Sequence, residues 1–266
     1  EFSRVLFRLI YSYLRGKHMI GTHLIIGDVH AVMKPFQKAV SFANSNDLHL
    51  ISVGDLVDNN TEGFAVTKLM LSEMKAGRAS AVFGNHEWKI HRWLEGRDVT
   101  ITKPNQPTVD EMESNQEFVD TFNEMTERMS FHIELNDKMV VSHAAMKPTW
   151  WNDRTQLDRK HRDFMMYGMS DKSQVFHHNG EVYPIRVYDW VEDVPADNWL
   201  FVGHDPRPLI GVPDFNNFQL APLVNKNQNG GATVFLDAGS GKGGTLWGAV
   251  VNSATKTLEG FVNFGS

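Results

Sequence analysis

Three apolar runs in the first third of the chain each end in a polar motif, and this arrangement limits the folds that the chain can adopt. The runs are THLIIGD from Thr22, LHLISVGD from Leu48 and ASAVFGN from Ala79. Segments 35–44 and 62–76 lie between them and carry apolar residues at helical spacing. Strands that alternate with helices predict an α/β sheet with crossover connections. Such sheets place their functional groups at the carboxyl ends of the strands.

The rest of the chain is predicted to add mainly strands. Residues 115–129 have the spacing of a helix, whereas residues 147–198 show few periodic runs. Residues 96–114 and 206–230 contain prolines and many polar residues, so we predict long connections there. The further strand candidates are FHIEL and KMVVSH, on either side of an Asn136-Asp137 turn, followed by WLFVGH, ATVFLDA, TLWGAVVN and TLEGFVNF. Because no interdomain linker is evident, we expect one domain over residues 19–266.

The first 18 residues have a different character. Apolar residues recur there at helical spacing with Arg4, Arg8 and Arg15 among them, which would also suit a basic amphipathic helix on a membrane surface. We expect residues 1–18 to be a leader or an expression-derived segment. Their apolar runs are shorter than the roughly 20 residues of a membrane span. With no secretory cleavage site after them, we expect a cytoplasmic protein.

Composition excludes several kinds of chemistry. The chain of 266 residues has no cysteine, so it has no disulfide, no zinc-thiolate site and no thiol nucleophile. Its formal net charge of −6 argues against stable binding to duplex DNA, which usually needs a basic face. A bound metal cluster can reverse the local field, so phosphorylated substrates stay possible. The oligomeric state is left open.

Five polar motifs end apolar runs: GDVH, GDLVDNN, GNHE, SHAAM and GHDP. One such motif alone is more often a simple turn, but five in order point to a metal centre. They supply six oxygen or imidazole ligand candidates, namely Asp28, His30, Asp55, Asn85, His143 and His204. This mixture suits Mn, Fe or Zn better than an all-oxygen Mg or Ca site. If Asp55 bridges, two ions could lie about 3.5–4 Å apart, as in two-metal phosphoester cleavage.

The GD-x-H, GD-x-VD and GNHE blocks resemble those of the calcineurin-like metallophosphoesterases, especially the phosphoprotein-phosphatase branch. The resemblance covers roughly residues 22–251. It extends to the phosphatase module of bacterial polynucleotide kinase-phosphatases and, less closely, to diadenosine tetraphosphatases and phage protein phosphatases. It implies an α/β fold, a four-layer αββα sandwich of two mixed β-sheets flanked by helices. It also implies two divalent metal ions, with Mn favoured and Fe or Zn as alternatives.

The resemblance assigns roles to individual residues. Asp28, His30 and Asp55 would hold one metal ion. The second ion would be held by a set that shares one of these residues, namely Asp55, Asn85, His143 and His204. His86 would be the general acid for the leaving-group oxygen, oriented by Asp58. A carboxylate partner fixes the tautomer of an imidazole and raises its pKa, which suits that role.

The sequence departs from the family at one point. The family usually has Arg-Gly after GD-x-VD, and the arginine binds the phosphate, but this chain has Asn59 and Asn60. An amide cannot replace a bidentate cation. We therefore expect either that another arginine contacts the substrate or that phosphate binding depends more on the metals. The candidates are Arg154, Arg162, Arg186 and Arg207, of which Arg162 and Arg186 are retained as substrate-contact predictions together with Asn59.

The stretch LDAGSGKGGTLWGAVV, residues 236–251, looks at first like a phosphate-binding loop. A Walker loop would need glycine at Leu236 and Ser or Thr at Gly243, so the motif fails at two fixed positions. We predict a hairpin instead, with a tight SGKGG connection between antiparallel partners. The resemblance to the family implies that Asp237, at the end of the first strand of this hairpin, would lie near the metals and hydrogen-bond a ligand histidine. Substitution of Lys242 is expected to change little.

The function predicted from these residues is hydrolysis of phosphomonoesters by metal-bound hydroxide at a dinuclear site. The substrate would be phosphoprotein Ser/Thr or a nucleotide or nucleic-acid phosphate. A dinucleoside polyphosphate hydrolase of the diadenosine tetraphosphate type is one alternative. A metal-retaining, non-catalytic binding protein is another, although the complete ligand set and the His86–Asp58 pair argue against it.

Overall fold

The computed structural model of the protein describes residues 21–155, 157–178, 181–206 and 219–266. The prediction for residues 1–18 therefore lies outside the described residues. Seven α-helices occur in the described part: α1 (Met33–Ser45), α2 (Gly63–Lys75), α3 (Asn85–Leu94), α4 (Gln106–Ser114), α5 (Gln116–Thr126), α6 (Pro148–Asn152) and α7 (Arg159–Tyr167). A 3-10 helix covers Asp189–Asp193. Among the described residues, no helix combines the length and the apolar character that crossing a bilayer requires.

The strands form two five-stranded sheets and one hairpin. The first sheet has the order β12-β11-β1-β2-β3, the second β4-β5-β8-β10-β9, and β6 pairs with β7. The strands are β1 (Thr22–Ile26), β2 (His49–Ser52), β3 (Ala79–Ala81), β4 (His132–Glu134), β5 (Met139–Ser142), β6 (Met169–His178), β7 (Glu181–Val187), β8 (Trp199–Val202), β9 (Leu223–Lys226), β10 (Ala232–Phe235), β11 (Leu246–Asn252) and β12 (Thr257–Gly265). Both large sheets mix parallel and antiparallel pairs.

Strand alternation produces the layers. In β1, Ile25 belongs to the core cluster between the two sheets, whereas Leu24 and Ile26 pack on the other face with the helices. In β8, Phe201 faces the first sheet and Leu200 packs in the outer cluster with buried Trp150. Successive side chains of a strand point to opposite faces, so an uninterrupted apolar strand is buried on both sides. The predicted αββα sandwich is confirmed.

Two predicted connections contain regular structure. Helix α4 lies within segment 96–114, because Pro107 is tolerated near a helix start and Thr108, Val109 and Met112 bury one face. Strand β9 lies within segment 206–230 and pairs with β10. Polar composition and prolines concealed both elements.

The predicted hairpin of β10 and β11 is wrong. Strand β10 pairs with β8 and β9 in the second sheet, whereas β11 pairs with β1 and β12 in the first. Only isolated bridges, such as Ala238 with Thr245, join the two ends of the connection. Both strands are apolar on two faces, so each can be an inner strand of a different sheet. The SGKGG connection therefore carries the chain from one sheet to the other.

Candidate metal centre

All six predicted ligands lie at the carboxyl ends of strands, where the two sheets meet. Asp28 and His30 follow β1, and Asp55 follows β2. Asn85 is the first residue of α3, just beyond β3. The second sheet contributes His143 after β5 and His204 after β8. The strand-end placement predicted from the sequence is thus observed.

The backbone of these loops is unusual. Five non-glycine residues of the motifs have positive φ, namely His30 (51°), Asp55 (53°), Asp58 (73°), Asn59 (68°) and His204 (72°). This left-handed region is uncommon for residues with a side chain, and such residues concentrate at functional sites. The loops turn sharply here, which directs several side chains into one small volume.

Glu87 connects the loops from within. Its carboxylate is completely buried and accepts hydrogen bonds from the backbone N–H groups of Asp55 (2.8 Å), Leu56 (2.7 Å) and Val57 (3.2 Å). It also accepts one from Gly84 (3.1 Å) at the start of α3. Burial, together with the charge of Asp55, raises the pKa of Glu87 to about 7. Glu87 is the last residue of GNHE, but sequence reasoning gave it no role; its position three residues after a helix N-cap was the available signal.

The first half of the centre is arranged around His30. Its Nδ1 donates to the carbonyl oxygen of Val57 at 3.3 Å, which leaves the Nε2 lone pair of the neutral ring free. Nε2 is buried without a hydrogen-bond partner and lies 3.8 Å from Oδ2 of both Asp28 and Asp55. A buried lone pair facing two carboxylate oxygens fits a divalent cation.

The second half is arranged around His143. Its Nδ1 donates to the carbonyl oxygen of Val53 at 2.8 Å, so in the neutral ring Nε2 is an acceptor. This Nε2 lies 3.0 Å from Oδ1 of Asn85, another acceptor, and 3.4 Å from Oδ1 of Asp55. Nδ1 of His204 lies 3.1 Å away. Nε2 of His143 and the side-chain oxygens of Asn85 and Asp55 are all acceptors, so this group also fits a metal ion.

Asp55 joins the two groups through different oxygens. Its Oδ2 faces Nε2 of His30, and its Oδ1 faces Nε2 of His143. Burial favours the neutral acid, but the neighbouring His143 and His86 lower the pKa of Asp55 well below its ordinary value. An ionised carboxylate in this position has the arrangement expected of a bridging ligand.

His86 and Asp58 form a close pair beside this carboxylate. Nδ1 of His86 lies 2.6 Å from Oδ2 of Asp58, and Nε2 lies 3.8 Å from Oδ2 of Asp55. The same Asp58 oxygen accepts from Nδ2 of Asn105 at 2.5 Å, and Oγ1 of Thr108 accepts from the Asp58 N–H at 3.0 Å. Asn105 precedes α4 and Thr108 lies in it, so the helix absent from the sequence prediction supports the pair.

Asp237 is buried near the centre but does not make the predicted contact. Its Oδ1 accepts from the N–H of Gly239 at 2.8 Å, and within the described residues its Oδ2 has no hydrogen-bond partner. The predicted hydrogen bond from Asp237 to a ligand histidine is therefore wrong. Its charge still reaches the centre: burial raises the pKa of Asp28 well above its ordinary value, and Asp237 and Asp55 raise it further.

The arginine candidates lie in different places. Nη1 of Arg186, on β7, is 2.6 Å from Nε2 of His204, and its Nε is 3.3 Å from Oδ2 of Asp205. Arg162 lies over the ring of Phe131 at 5.4 Å, a packing contact. Arg154 is paired with Glu134 at 2.6 Å. Arg207 lies outside the described residues. Of the described arginine candidates, Arg186 is the one that contacts a ligand candidate.

The two asparagines that replace the expected Arg-Gly differ in their hydrogen bonding. The Nδ2 atom of Asn59 is buried and has no hydrogen-bond partner in the described part of the chain. Nδ2 of Asn60 donates to the carbonyl oxygens of His30 (2.9 Å) and Gly241 (3.1 Å). Asn60 thus joins the first motif to the SGKGG connection, a contact that sequence reasoning did not foresee.

Comparison with known proteins places the chain in a family. The calcineurin-like phosphoesterase family matches residues 22–235. A bis(5′-nucleosyl)-tetraphosphatase PrpE of Bacillus mycoides is 28% identical over 242 residues, covering 84% of this chain and 88% of that protein. The PrpE protein of Anoxybacillus flavithermus is 29% identical over 198 residues, covering 68% and 78%.

Solved structures show the same fold at lower identity. A protein serine/threonine phosphatase from Saccharomyces cerevisiae superposes with a TM-score of 0.53 at 15% identity, covering 87% of this chain and 73% of that one. A cold-active protein-tyrosine phosphatase of a Shewanella species gives 0.52 at 16%, covering 92% and 80%. The family match covers most of the chain and its motifs converge on one centre, so this protein belongs to the calcineurin-like phosphoesterase family and is a metal-dependent phosphoester hydrolase.

Proposed function

We propose that the chain hydrolyses phosphomonoesters, with His86 as general acid and Asp58 as the residue that positions it. The 2.6 Å contact between Nδ1 of His86 and the Asp58 carboxylate carries this proposal. It fixes the ring so that Nε2, 3.8 Å from Asp55, faces the metal centre. Alkoxide leaving groups of phosphomonoesters need a proton, and a positioned imidazolium can supply it.

Electrostatics support the protonated state of His86. Burial lowers its pKa, but the carboxylates of Asp55 and Asp58 outweigh burial and hold the pKa above its ordinary value. In the proposed reaction Nε2 donates its proton to the leaving oxygen while Nδ1 keeps its hydrogen bond to Asp58. Two divalent ions held by the six ligand candidates, with Mn proposed first, would polarise the phosphate and activate water.

We further propose that Arg186 contacts the substrate phosphate. Its guanidinium lies beside His204 and is offered from the edge of the centre by β7. Guanidinium groups bind phosphate oxygens through two parallel N–H donors. We also propose that the substrate is phosphoprotein Ser/Thr or a nucleotide or nucleic-acid phosphate, and that the protein acts in the cytoplasm.

Asymmetrical hydrolysis of dinucleoside tetraphosphates is the second candidate, favoured by the names of the PrpE relatives. The two candidates differ in leaving group. A phosphate leaving group is far less basic than an alkoxide and gains less from a general acid. The role of His86 therefore distinguishes them.

The test combines a substrate panel with one variant. Mn²⁺-loaded protein is assayed on phosphoserine peptide, a 3′-phosphorylated oligonucleotide, 2′,3′-cyclic nucleotide and diadenosine tetraphosphate. We expect His86→Ala to lower kcat on alkyl phosphates by about 10²-fold or more, to lower it much less on p-nitrophenyl phosphate, and to retain metal. Equal losses on both leaving groups contradict the general-acid role. Cleavage restricted to diadenosine tetraphosphate favours the second candidate.

A further inference from the structure

The connection between β10 and β11 holds a lysine beside the metal centre. Lys242 is exposed, and it forms no ion pair within the described part of the chain. Sequence reasoning treated this connection as a structural turn because its Walker pattern fails. Its position in the fold also brings it next to the metal centre, because the chain crosses here between the two sheets whose edges form that centre.

The residues before Lys242 are packed against the first motif. Ser240 is buried and its hydroxyl donates to the carbonyl oxygen of Val29 at 3.2 Å. The Asn60 amide holds the carbonyl oxygens of His30 and Gly241 at 2.9 and 3.1 Å. A Cβ atom on Gly241 would lie only 2.5 Å from Cβ of His30. The backbone immediately before Lys242 therefore touches a metal-ligand residue.

A tight turn fixes the position of the lysine itself. Its N–H donates to the carbonyl oxygen of Gly239 at 2.9 Å, and the N–H of Gly244 donates to the same oxygen at 2.9 Å. Gly239 is in turn held by Oδ1 of Asp237 at 2.8 Å. The Lys242 backbone is thus anchored on both sides, while the residue is exposed to solvent.

The charge of Lys242 acts on groups throughout the centre. Burial lowers the pKa of His30, and Lys242 is the next cause that lowers it. Burial raises the pKa of Asp237, and Lys242 is the leading influence in the opposite direction. It also acts on Asp28 of the same motif and on His86 and His204 of two further motifs. A cation with this reach contributes to the potential that an anionic substrate meets.

We propose that Lys242 binds a non-bridging oxygen of the substrate phosphoryl group and supplies the cation that Asn59 does not. This inference rests on the proposed phosphoester hydrolysis and adds a phosphate-binding residue to it. The Asn59 amide is buried and uncharged, whereas the Lys242 ammonium is exposed, anchored through its own backbone and free to reach an incoming anion. A lysine acts here as a mobile point charge rather than as a planar fork.

The experiment compares Lys242→Ala and Lys242→Arg with Lys226→Ala. Lys226 is an exposed lysine at the last position of β9, where it pairs with Ala232 at the start of β10. The ligand candidates lie at the opposite, carboxyl ends of the strands parallel to β10, so Lys226→Ala controls for the loss of a surface charge. Inorganic phosphate is titrated as a product inhibitor and, by calorimetry, into each Mn²⁺-loaded protein. Metal content is measured in parallel.

We expect Lys242→Ala to weaken phosphate binding and raise KM about tenfold, with metal content unchanged. Lys242→Arg is expected to stay within about threefold of the parent protein, because it keeps the charge. A phosphate affinity of Lys242→Ala within about twofold of the parent, or an equal loss in Lys226→Ala, overturns the inference. If the parent protein cleaves no substrate, the proposed function fails, and the calorimetric comparison still decides the role of Lys242.

Discussion

The metal centre has two walls of different construction. The first wall consists of residues 27–60 and 84–87 from the first sheet, and hydrogen bonds hold its loops in place. The Glu87 carboxylate accepts from four backbone N–H groups, and the Asp58 carboxylate is hydrogen-bonded to the side chains of His86 and Asn105. The second wall, residues 143 and 203–205 with Arg186, is contributed by the second sheet and by an exposed hairpin.

The hairpin illustrates the contrast. Among the described residues, β6 and β7 pair with each other alone, and Met169, Val175 and Val182 are 39%, 49% and 57% exposed. Few apolar contacts and an exposed backbone are the features of segments that open easily. The ligand candidates of the first wall therefore lie on loops held by buried hydrogen bonds, whereas Arg186 in the second wall lies on a hairpin with exposed apolar side chains. The proposed phosphate contacts differ in their support: Arg186 lies on the hairpin, whereas Lys242 lies on a tight connection packed against His30.

Asp55→Asn should have the largest effect, because its carboxylate faces both walls through different oxygens. We expect phosphate release to fall about 10³-fold and one metal ion per chain to be lost. Colorimetric phosphate release and metal content by atomic emission give the two values. Asp47→Asn is the matched control: Asp47 is exposed and has the same φ of 53°. Full metal content and rate in Asp55→Asn would mean that the walls are not joined by this residue.

Asp58→Asn should come next, with metal content retained. We expect kcat on alkyl phosphates to fall about 10²-fold, because His86 loses the partner that orients it. Asp58 also raises the pKa of His86, so its removal lowers that pKa. The protonated acid is then lost at lower pH, and the alkaline limb of the kcat profile should move to lower pH. An alkaline limb that stays in place would separate Asp58 from the proton transfer.

Gly203→Ala probes the second wall. A Cβ at this position would lie 2.0 Å from Oδ1 of Asp28, so the carboxylate must move. We expect metal affinity to fall about tenfold or more, a loss typical of disturbed support around a ligand. Metal titration of Gly203→Ala is compared with Gly260→Ala, where a Cβ meets nothing within 4 Å. Equal affinities in the two variants would show that the second wall adapts more easily than its packing indicates.

Arg78→Ala gives a baseline outside the centre and should have the smallest effect. The Glu73 carboxylate is 8% exposed and accepts from Arg78 at 2.7 and 2.9 Å, and these hydrogen bonds chiefly lower the pKa of Glu73 below 4.5. We expect a small but measurable loss in the free energy of unfolding at neutral pH and unchanged kcat.

The pH dependence of that loss has a definite sign. A depressed carboxyl pKa stabilises the fold above the unfolded pKa and ceases to do so as pH falls through the folded pKa. The difference between the parent protein and Arg78→Ala should therefore shrink below about pH 4.5, near the ordinary pKa of Glu. Urea unfolding at neutral and acidic pH measures it, and a difference that grows on acidification would contradict the ion-pair explanation.

The sequence was sufficient where local pattern decides structure. Apolar runs with polar ends predicted β1, β2 and β3 and brought the six ligand candidates to one edge. Strand pairing between distant segments was harder to predict, because the sequence pattern of β10 and β11 suits a hairpin as well as two strands in different sheets. Helix α4 and strand β9 were concealed because polar surface residues and prolines outnumber their few buried positions.

In the metal centre, too, local motifs could be predicted and long-range contacts could not. The ligand candidates belong to motifs that are visible in the sequence, whereas Glu87 and Asn105 act through hydrogen bonds to distant residues that form only when the loops are folded. Lys242 illustrates the limit most clearly. Its own motif fails as a phosphate loop, and only the packing of Gly241 on His30 brings it to the rim.

The left-handed residues of the centre bear on engineering of this protein. Each non-glycine residue held at positive φ costs about 1 kcal/mol or more, and His30, Asp55 and His204 are all held in this way. Replacing such a residue with glycine removes this backbone cost and, at the same time, a ligand candidate. Thermal stability is therefore a misleading score for improving this enzyme. A library selected on melting temperature alone would enrich inactive chains, and metal content should be scored alongside it.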